Sequence, residues 1–447
     1  MRCRDGARCR SIPPTPWAWW VSSQTCIVVT RSDHARRLDG VLPDHADLAY
    51  LDHAATTTVR PEVIEAVAAR RSVVGNPSSL HTAGRAARRV VEECREQIAE
   101  AAGARPSEVV FTSGGTEADN LAVVGGYRAR RAADARRRRV LASPVEHPAV
   151  LDAVEHLVTH EDAEVTWLEV DEVGRVRLDQ ARAALEEDPA SVALASLMWA
   201  NNEVGTIQPV RELAEAAAAH AIPVHTDAVQ AVGHVPVDFG SSGVTLLSLT
   251  AHKLGGPVGV GALLVRRDAA VSPLTHGGGQ ERQIRSGTLD TAGIVGLATA
   301  LEIACHEREP ETERLVGLRD QLLQGALGLG LGIRVGGDWE PGDATRRLPG
   351  NAHLLVPGCE GDSLLYLMDA AGVLCSTGSA CHAGVPQPSH VLLAMGLSET
   401  EARGALRLTL GHTSTEADVA RALGALPAAV ERARRAGSLS VSGEVAS

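Results

Sequence analysis

Lysine is almost absent from this sequence. Of its 43 Lys and Arg residues only Lys253 is a lysine, so arginine carries nearly all of the positive charge. Aromatic residues are also scarce, at 2% of the chain. A single lysine among so many arginines is expected to have a chemical role. Its amine can lose a proton and act as a nucleophile, whereas a guanidinium group stays protonated and is a poor nucleophile. Lys253, in the stretch "LTAHKLGGP", is therefore the first candidate functional residue.

Other absences exclude whole classes of protein. The 8 cysteines form no CxxC pair and no small-domain disulfide spacing, which favours a reducing compartment and predicts a cytoplasmic protein. The 17 histidines contain no HxH or HExxH spacing, so neither a metal-dependent hydrolase nor a metal site is expected. No apolar run is long enough to span a bilayer, and a net charge of −12 argues against direct nucleic-acid binding.

The chain divides by pattern into four parts. Residues 1–46 show no sustained periodicity and are predicted to be a disordered extension or sequence upstream of the working start. Residues 47–300 alternate short apolar runs with Ala-rich helical stretches, which predicts a large α/β domain with a doubly wound, mostly parallel sheet. Residues 301–435 predict a smaller α+β domain, and 436–447 a flexible tail.

Polar residues follow successive predicted strands, where open α/β sheets bind ligands. After "EVVFT" comes "SGGTEADN", whose glycines and Thr116 would form a phosphate cradle at a helix start. His147, Asn202, Asp227 and Lys253 follow later strands. Each motif is weak alone, because Gly-Gly-Thr is an ordinary turn and a histidine at a helix start is usually a cap.

Together these residues indicate a particular cofactor chemistry. A lone lysine beside a phosphate cradle suggests a Schiff base with an aldehyde cofactor that carries a phosphate. A buried carboxylate such as Asp227 would keep a pyridine nitrogen protonated and make the ring an electron sink. The residues themselves therefore predict pyridoxal chemistry before any family is considered.

Ten motifs in order resemble the cysteine desulfurases, enzymes of the class V aminotransferase group with fold type I architecture that depend on pyridoxal 5′-phosphate (PLP). The resemblance covers about residues 48–430 and rests on these segments: "YLDHAATT", "GNPSSLHTAGR", "FTSGGTEADN", "EHPAV", "NNEVGTIQP", "HTDAVQAVG", "SLTAHKLGGPVGVG", "HGGGQERQIRSGT", "STGSACHAGVPQPSHVL" and "LRLTLG". The long segment around Cys381 is similar to the group I, NifS/IscS-like subfamily.

The resemblance implies a role for each matching residue. Lys253 would form the Schiff base, Asp227 would pair with the pyridine nitrogen, and His147 would stack on the ring and take part in proton transfer. Thr288 would reach the phosphate of a neighbouring subunit's cofactor, which implies a homodimer. The full set of implied cofactor-binding residues is Gly115, Thr116, His147, Asn202, Asp227, Gln230, Thr250, His252, Lys253 and Thr288.

The resemblance also implies the reaction. Cys381 would attack the sulfur of L-cysteine, leaving an enzyme persulfide and releasing alanine, while Arg407 would clamp the substrate carboxylate. Asn76 would lie near the substrate entrance, although a plain capping turn is an equally good interpretation. The sulfur would pass to an acceptor protein, such as an iron–sulfur scaffold or a thiolation enzyme. His382 and His412 depart from the family pattern.

Two alternatives stay open at the level of sequence. A class V aminotransferase, an epimerase or a selenocysteine lyase would share the fold, but a transaminase has no use for Cys381. A catalytically inactive relative that serves as a binding scaffold would be expected to lack Lys253, Asp227 or Cys381, and all three are present.

Overall fold

The computed structural model describes residues 48–378 and 387–443, with side chains described as far as residue 436. The described strands are β1 (Ala49–Tyr50), β2 (Val109–Thr112), β3 (Arg139–Ala142), β4 (Glu164–Trp167), β5 (Val192–Ser196), β6 (Val224–Asp227), β7 (Leu246–Thr250), β8 (Gly261–Val265), β9 (Arg334–Val335), β10 (Asn351–Leu355), β11 (Val373–Leu374) and β12 (Ala405–Thr409).

Helices separate most of these strands. They are α1 (Pro61–Arg71), α2 (Thr82–Ala101), α3 (Gly115–Asn120), α4 (Gly126–Ala133), α5 (Pro148–His160), α6 (Leu178–Glu187), α7 (Val210–Ala218), α8 (Phe239–Ser242), α9 (Thr291–Gly328), α10 (Gly361–Asp369), α11 (His390–Ala394), α12 (Glu399–Arg403) and α13 (Glu416–Gly443). A π-helical turn, Leu121–Gly125, joins α3 to α4 without a break.

A seven-stranded sheet in the order β2-β8-β7-β6-β5-β3-β4 forms the centre of the fold. Strand β8 pairs antiparallel with both neighbours, and the other pairs are parallel. Strands β5 to β8 are buried along their whole length, as expected when helices cover both faces of a sheet. The prediction of an α/β fold with a mostly parallel sheet is confirmed.

A second hydrophobic core lies on a smaller three-stranded sheet, β12-β10-β9, and on the parallel pair β1-β11. Strand β1 begins the described chain yet packs in this core with helices near the C-terminus, so the core is discontinuous in sequence. Helix α9 runs without interruption across residue 300, the predicted domain boundary, and contacts α1, α2 and α13. The four-part division of the chain stays a prediction.

Two further structural findings bear on the predicted organisation. Helix α13 continues to Gly443 and so occupies most of the segment 436–447 that was predicted to be a tail. Residues 1–46 lie outside the described residues. No helix in the described part of the chain is long and apolar enough to cross a membrane.

Candidate active site

The carboxyl ends of the central strands open into a cavity of about 410 Å³ between the two cores. Its walls contain ten of the residues predicted from the sequence: Gly115, Thr116, His147, Asn202, Asp227, Gln230, Thr250, His252, Lys253 and Arg407. They are drawn from positions that are hundreds of residues apart. Parallel strands place their carboxyl ends along one edge of a sheet, which explains how most of these residues come together.

The turn from β2 into α3 forms one end of the cavity. A Cβ atom added to Gly115 would lie 2.8 Å from Val229 Cγ2, and one added to Gly261 would lie 2.9 Å from Gly114 Cα. Glycine is therefore required for the turn to approach β8 and the segment after β6. The helix that begins here has free N–H groups at its first turn, and these together with the Thr116 and Thr250 hydroxyls suit an anion such as a phosphate.

Lys253 follows β7 at the end of a short 3-10 turn and faces the cavity. Its Nζ donates hydrogen bonds to the carbonyl oxygens of Ala54 and Ala55, the latter at 2.6 Å. Burial lowers the pKa of Lys253 to about 8, and the Arg407 charge acts in the same direction. A larger share of the amine is therefore neutral and nucleophilic near pH 7 than in a solvated lysine.

Asp227 and His147 also line the cavity. Asp227 is 6% exposed, and burial raises its pKa to about 6. Its Oδ1 accepts a hydrogen bond from the Val229 backbone N–H at 2.9 Å. His147 caps α5, with Nδ1 accepting from the Ala149 N–H at 3.1 Å, so the ring proton resides on Nε2. Burial lowers the pKa of His147, which keeps its ring neutral.

Arg407 comes from the middle of β12 and brings the second core to the cavity. Its Nη2 donates to Asp52 Oδ1 at 2.9 Å and its Nη1 donates to the Asn202 carbonyl oxygen at 3.0 Å. Asn202 Oδ1 is buried and accepts no hydrogen bond from the described residues. Because buried polar atoms are normally partnered, this amide indicates a ligand in the cavity.

Two predicted residues lie outside the cavity, and a third lies outside the described residues. Thr288 is exposed and does not line the cavity, which agrees with a role toward another subunit but does not test it. Asn76 is exposed and its Oδ1 accepts from the Ser78 N–H at 2.9 Å, as in a capping turn. Cys381 lies outside the described residues. The roles of all three stay predictions.

Sequence reasoning missed several residues that the structure places at or beside the cavity. Asp52 is the ion-pair partner of Arg407. It is part of the motif "YLDHAATT", but the sequence alone assigned it no role. Asp119 and Ser376 line the cavity. Glu203 is buried and accepts a hydrogen bond from Ser389 Oγ at 2.5 Å, beside Gly378. The signal for Asp119 is its position in "SGGTEADN", in the same motif as the glycines and Thr116.

Comparison with known proteins decides the family. The model of the aminotransferase class V family matches residues 49–422. This chain belongs to that family. Its enzymes are PLP-dependent, and the described residues contain no group of His, Cys, Asp and Glu side chains that could hold a metal ion.

Within the family the chain is similar to cysteine desulfurases. It is 58% identical to an IscS-like cysteine desulfurase of Mycobacterium tuberculosis, over 87% of this chain and 98% of that protein. A solved NifS-like protein has a TM-score of 0.76 and 34% identity, over 86% of this chain and 98% of that one. A solved structure described as SspA in complex with cysteine has a TM-score of 0.69 and 32% identity, over 82% and 100% of the two chains. The enzyme is a cysteine desulfurase, as the sequence predicted.

Proposed function

We propose that the cavity binds PLP through Lys253 and that the enzyme uses it to remove sulfur from L-cysteine, leaving alanine and a persulfide on Cys381. The observation that carries the proposal is the position of Lys253, the only lysine of the chain, in the wall of a cavity that also contains a buried carboxylate and a helix start. The neighbour solved with cysteine supports the choice of substrate.

The donor set suits both ends of the proposed cofactor. The first turn of α3 with Thr116, Thr250 and His252 would hold the phosphate. Asp227 would hold the pyridine nitrogen and His147 would lie against the ring. When bound, PLP supplies an electron sink that lets bonds at the α- and β-carbons of an amino acid break.

Arg407 would bind the substrate carboxylate. Its guanidinium is nearly buried, and a planar fork of N–H donors matches a carboxylate in two parallel hydrogen bonds. In this structure Asp52 occupies one side of the fork. Asn202, whose carbonyl oxygen accepts a hydrogen bond from Arg407, and Gln230 in the cavity wall would orient the substrate or the cofactor edge.

Two groups of this chain would move protons. The neutral Lys253 amine and the neutral His147 ring face the same cavity. Either can accept a proton from the substrate, and a protonated Lys253 can return it to carbon.

Cys381 would carry the sulfur away. Its thiolate attacks the sulfur of bound cysteine, the new S–S bond forms as the C–S bond breaks, and the carbon side keeps the electron pair. Protonation of that carbon completes alanine. The persulfide then passes to an acceptor protein, for which an iron–sulfur scaffold or a thiolation enzyme is proposed. The reaction is placed in the cytoplasm, where thiols stay reduced.

A homodimer would complete the site through Thr288. The segment that carries Thr288 contacts the start of α3, because Arg285 forms an ion pair at 2.8 Å with Glu117 in the first turn of that helix. Two large apolar side chains, those of Val74 and Leu80, are 85% and 86% exposed. Such side chains favour burial against a partner. A mass of two chains by light scattering tests this part of the proposal.

The test of the cofactor proposal is Lys253→Ala. The native enzyme should be yellow and should release sulfide and alanine from L-cysteine in the presence of a thiol reductant. The variant should lose the visible band, and its sulfide release should fall to background. Lys253→Arg should fail equally, because guanidinium forms no Schiff base under these conditions. Native turnover by Lys253→Ala would contradict the proposal.

A further inference from the structure

Asp119 is a buried carboxyl group that the reaction described above does not use. It lies in α3, three residues after Thr116, lines the cavity and is 1% exposed. Its Oδ1 is buried and accepts no hydrogen bond from the described residues. A carboxyl group in this condition costs free energy when ionised unless a cation or several donors face it.

The groups that face Asp119 are His225 on β6 and Ser248 on β7. His225 Nε2 lies 3.5 Å from Asp119 Oδ1 and 3.1 Å from Ser248 Oγ, and His225 Nδ1 lies 3.0 Å from Ser196 Oγ. Burial lowers the pKa of His225 to about 4, so the imidazole is neutral near pH 7. The contact between His225 and Asp119 is therefore not an ion pair.

Two more carboxyl groups lie in the same buried region. Asp227, on β6 beside His225, and Glu146, before α5, both have pKa values raised by burial, and the Asp119 charge contributes to each rise. Among the described residues, the Lys and Arg side chains that line the cavity are Lys253 and Arg407, and His147 is neutral. Three carboxylates cannot all be ionised cheaply in one low-dielectric region.

Asp119 lines the cavity and has a stronger reason than Asp227 to stay protonated. Burial raises the pKa of Asp119 to about 7, and a hydrogen bond from the Ser248 side chain opposes the rise only in part. Asp227 Oδ1 accepts a hydrogen bond from the Val229 N–H at 2.9 Å, which favours the ionised form of Asp227.

We propose that Asp119 is a positioning residue of the cofactor site, which holds a proton between Ser248 and His225 so that this wall of the cavity carries one negative charge, on Asp227, and not two. The inference rests on the proposed function, in which Asp227 alone balances the pyridine nitrogen. It predicts that Asn, the uncharged isostere, can replace Asp119.

The first measurement is the melting temperature of full-length protein between pH 5 and pH 8. In the native enzyme the folded state holds the Asp119 proton to higher pH than the unfolded state does, so stability falls as the pH rises from about 4 toward 7. Asp119→Asn has no proton to lose. Its melting temperature should match the native value within about 2 °C at pH 5 and exceed it increasingly toward pH 8.

Two further variants distinguish the proposed proton-holding role of Asp119 from a purely structural role. Asp179→Asn removes an exposed aspartate from the first turn of another helix, α6, and should give a curve parallel to the native one. Ser248→Ala keeps Asp119 but removes its hydroxyl donor, so it should destabilise the protein more at pH 8 than at pH 5. This variant keeps the proposal testable if Asp119→Asn folds poorly. A constant offset of the Asp119→Asn curve at every pH would overturn the proposal.

The second measurement is the visible band of the purified protein titrated with acid and base. In Asp119→Asn a group that becomes negative near pH 7 is lost, so the pH at which the visible band titrates should be lower than in the native protein. The titration of the band in Asp179→Asn should match that of the native protein. An unmoved band together with parallel melting curves would overturn the role of Asp119. Absence of a band in the native protein, with the divergent melting curves retained, would instead contradict the proposed cofactor.

Discussion

The two walls of the cavity hold their functional residues in different ways. One, the sheet wall, consists of Gly115, His147, Asp227, Thr250 and Lys253, each at or just after the end of a central strand or at the start of a helix. The other, the clamp wall, consists of Ser376, Gly378 and Arg407 from the second core. Backbone geometry alone places the sheet wall, whereas the clamp wall depends on how two cores pack.

The difference matches a division of the reaction. The sheet wall contains the groups proposed to bind PLP and move protons, and these need fixed positions. The clamp wall carries the proposed carboxylate clamp and adjoins the chain that leads to Cys381. Changes on one side should therefore affect one half of the chemistry and spare the other.

The largest expected effect is that of Cys381→Ser. A serine hydroxyl is almost wholly protonated near neutral pH and is far less nucleophilic toward sulfur than a thiolate. Sulfide release should fall to background. The variant should stay yellow and still change its visible spectrum on addition of L-cysteine, because binding depends on the sheet wall and Arg407.

Cys375 is the matched control for that experiment. It is 8% exposed, and burial raises its pKa to about 12, so its thiol stays protonated. Cys375→Ser should lower the melting temperature by several degrees, on the order of 1–3 kcal/mol for a buried hydroxyl, with turnover close to native. Sulfide loss in Cys375→Ser alone would contradict the assignment of the nucleophile.

A smaller effect is expected from Arg407→Lys, which tests the clamp wall. Lysine keeps the charge but loses the bidentate fork and cannot reach Asp52 and the Asn202 carbonyl together. The KM for L-cysteine should rise about 10–100-fold, as for a lost hydrogen bond between charged groups, while the visible band stays. Arg403→Lys changes an arginine that lies close to Arg407 in sequence but outside the cavity, and it should leave KM unchanged.

The smallest effect is expected from deletion of residues 1–46. Their sequence shows no packing pattern, so activity should be native and the melting temperature should change by less than about 2 °C. A decrease of several degrees would show that the extension packs on the folded chain. Calorimetry of both proteins at one pH decides between these outcomes.

The strands of the central sheet were predictable because they are short apolar runs bounded by polar turns. The run "VTLLSLT" predicted a strand over residues 244–250 and became β7, Leu246–Thr250, with Lys253 three residues beyond its end. Short strands such as β1 and β9 escaped prediction, since two residues carry no periodicity. Their pairing is decided by neighbours that are distant in sequence.

The sequence by itself determined the α/β class, the order of polar groups along the strand ends and the significance of Lys253, because each follows from local pattern and chemical type. The tertiary structure decided the ion pair of Asp52 with Arg407, and it placed Asp119 in a buried group of carboxyls with Glu146 and Asp227. No local pattern encodes such contacts. They arise where two hydrophobic cores pack around one cavity. The exclusion of water there raises the free energy of ionised groups that have no partner.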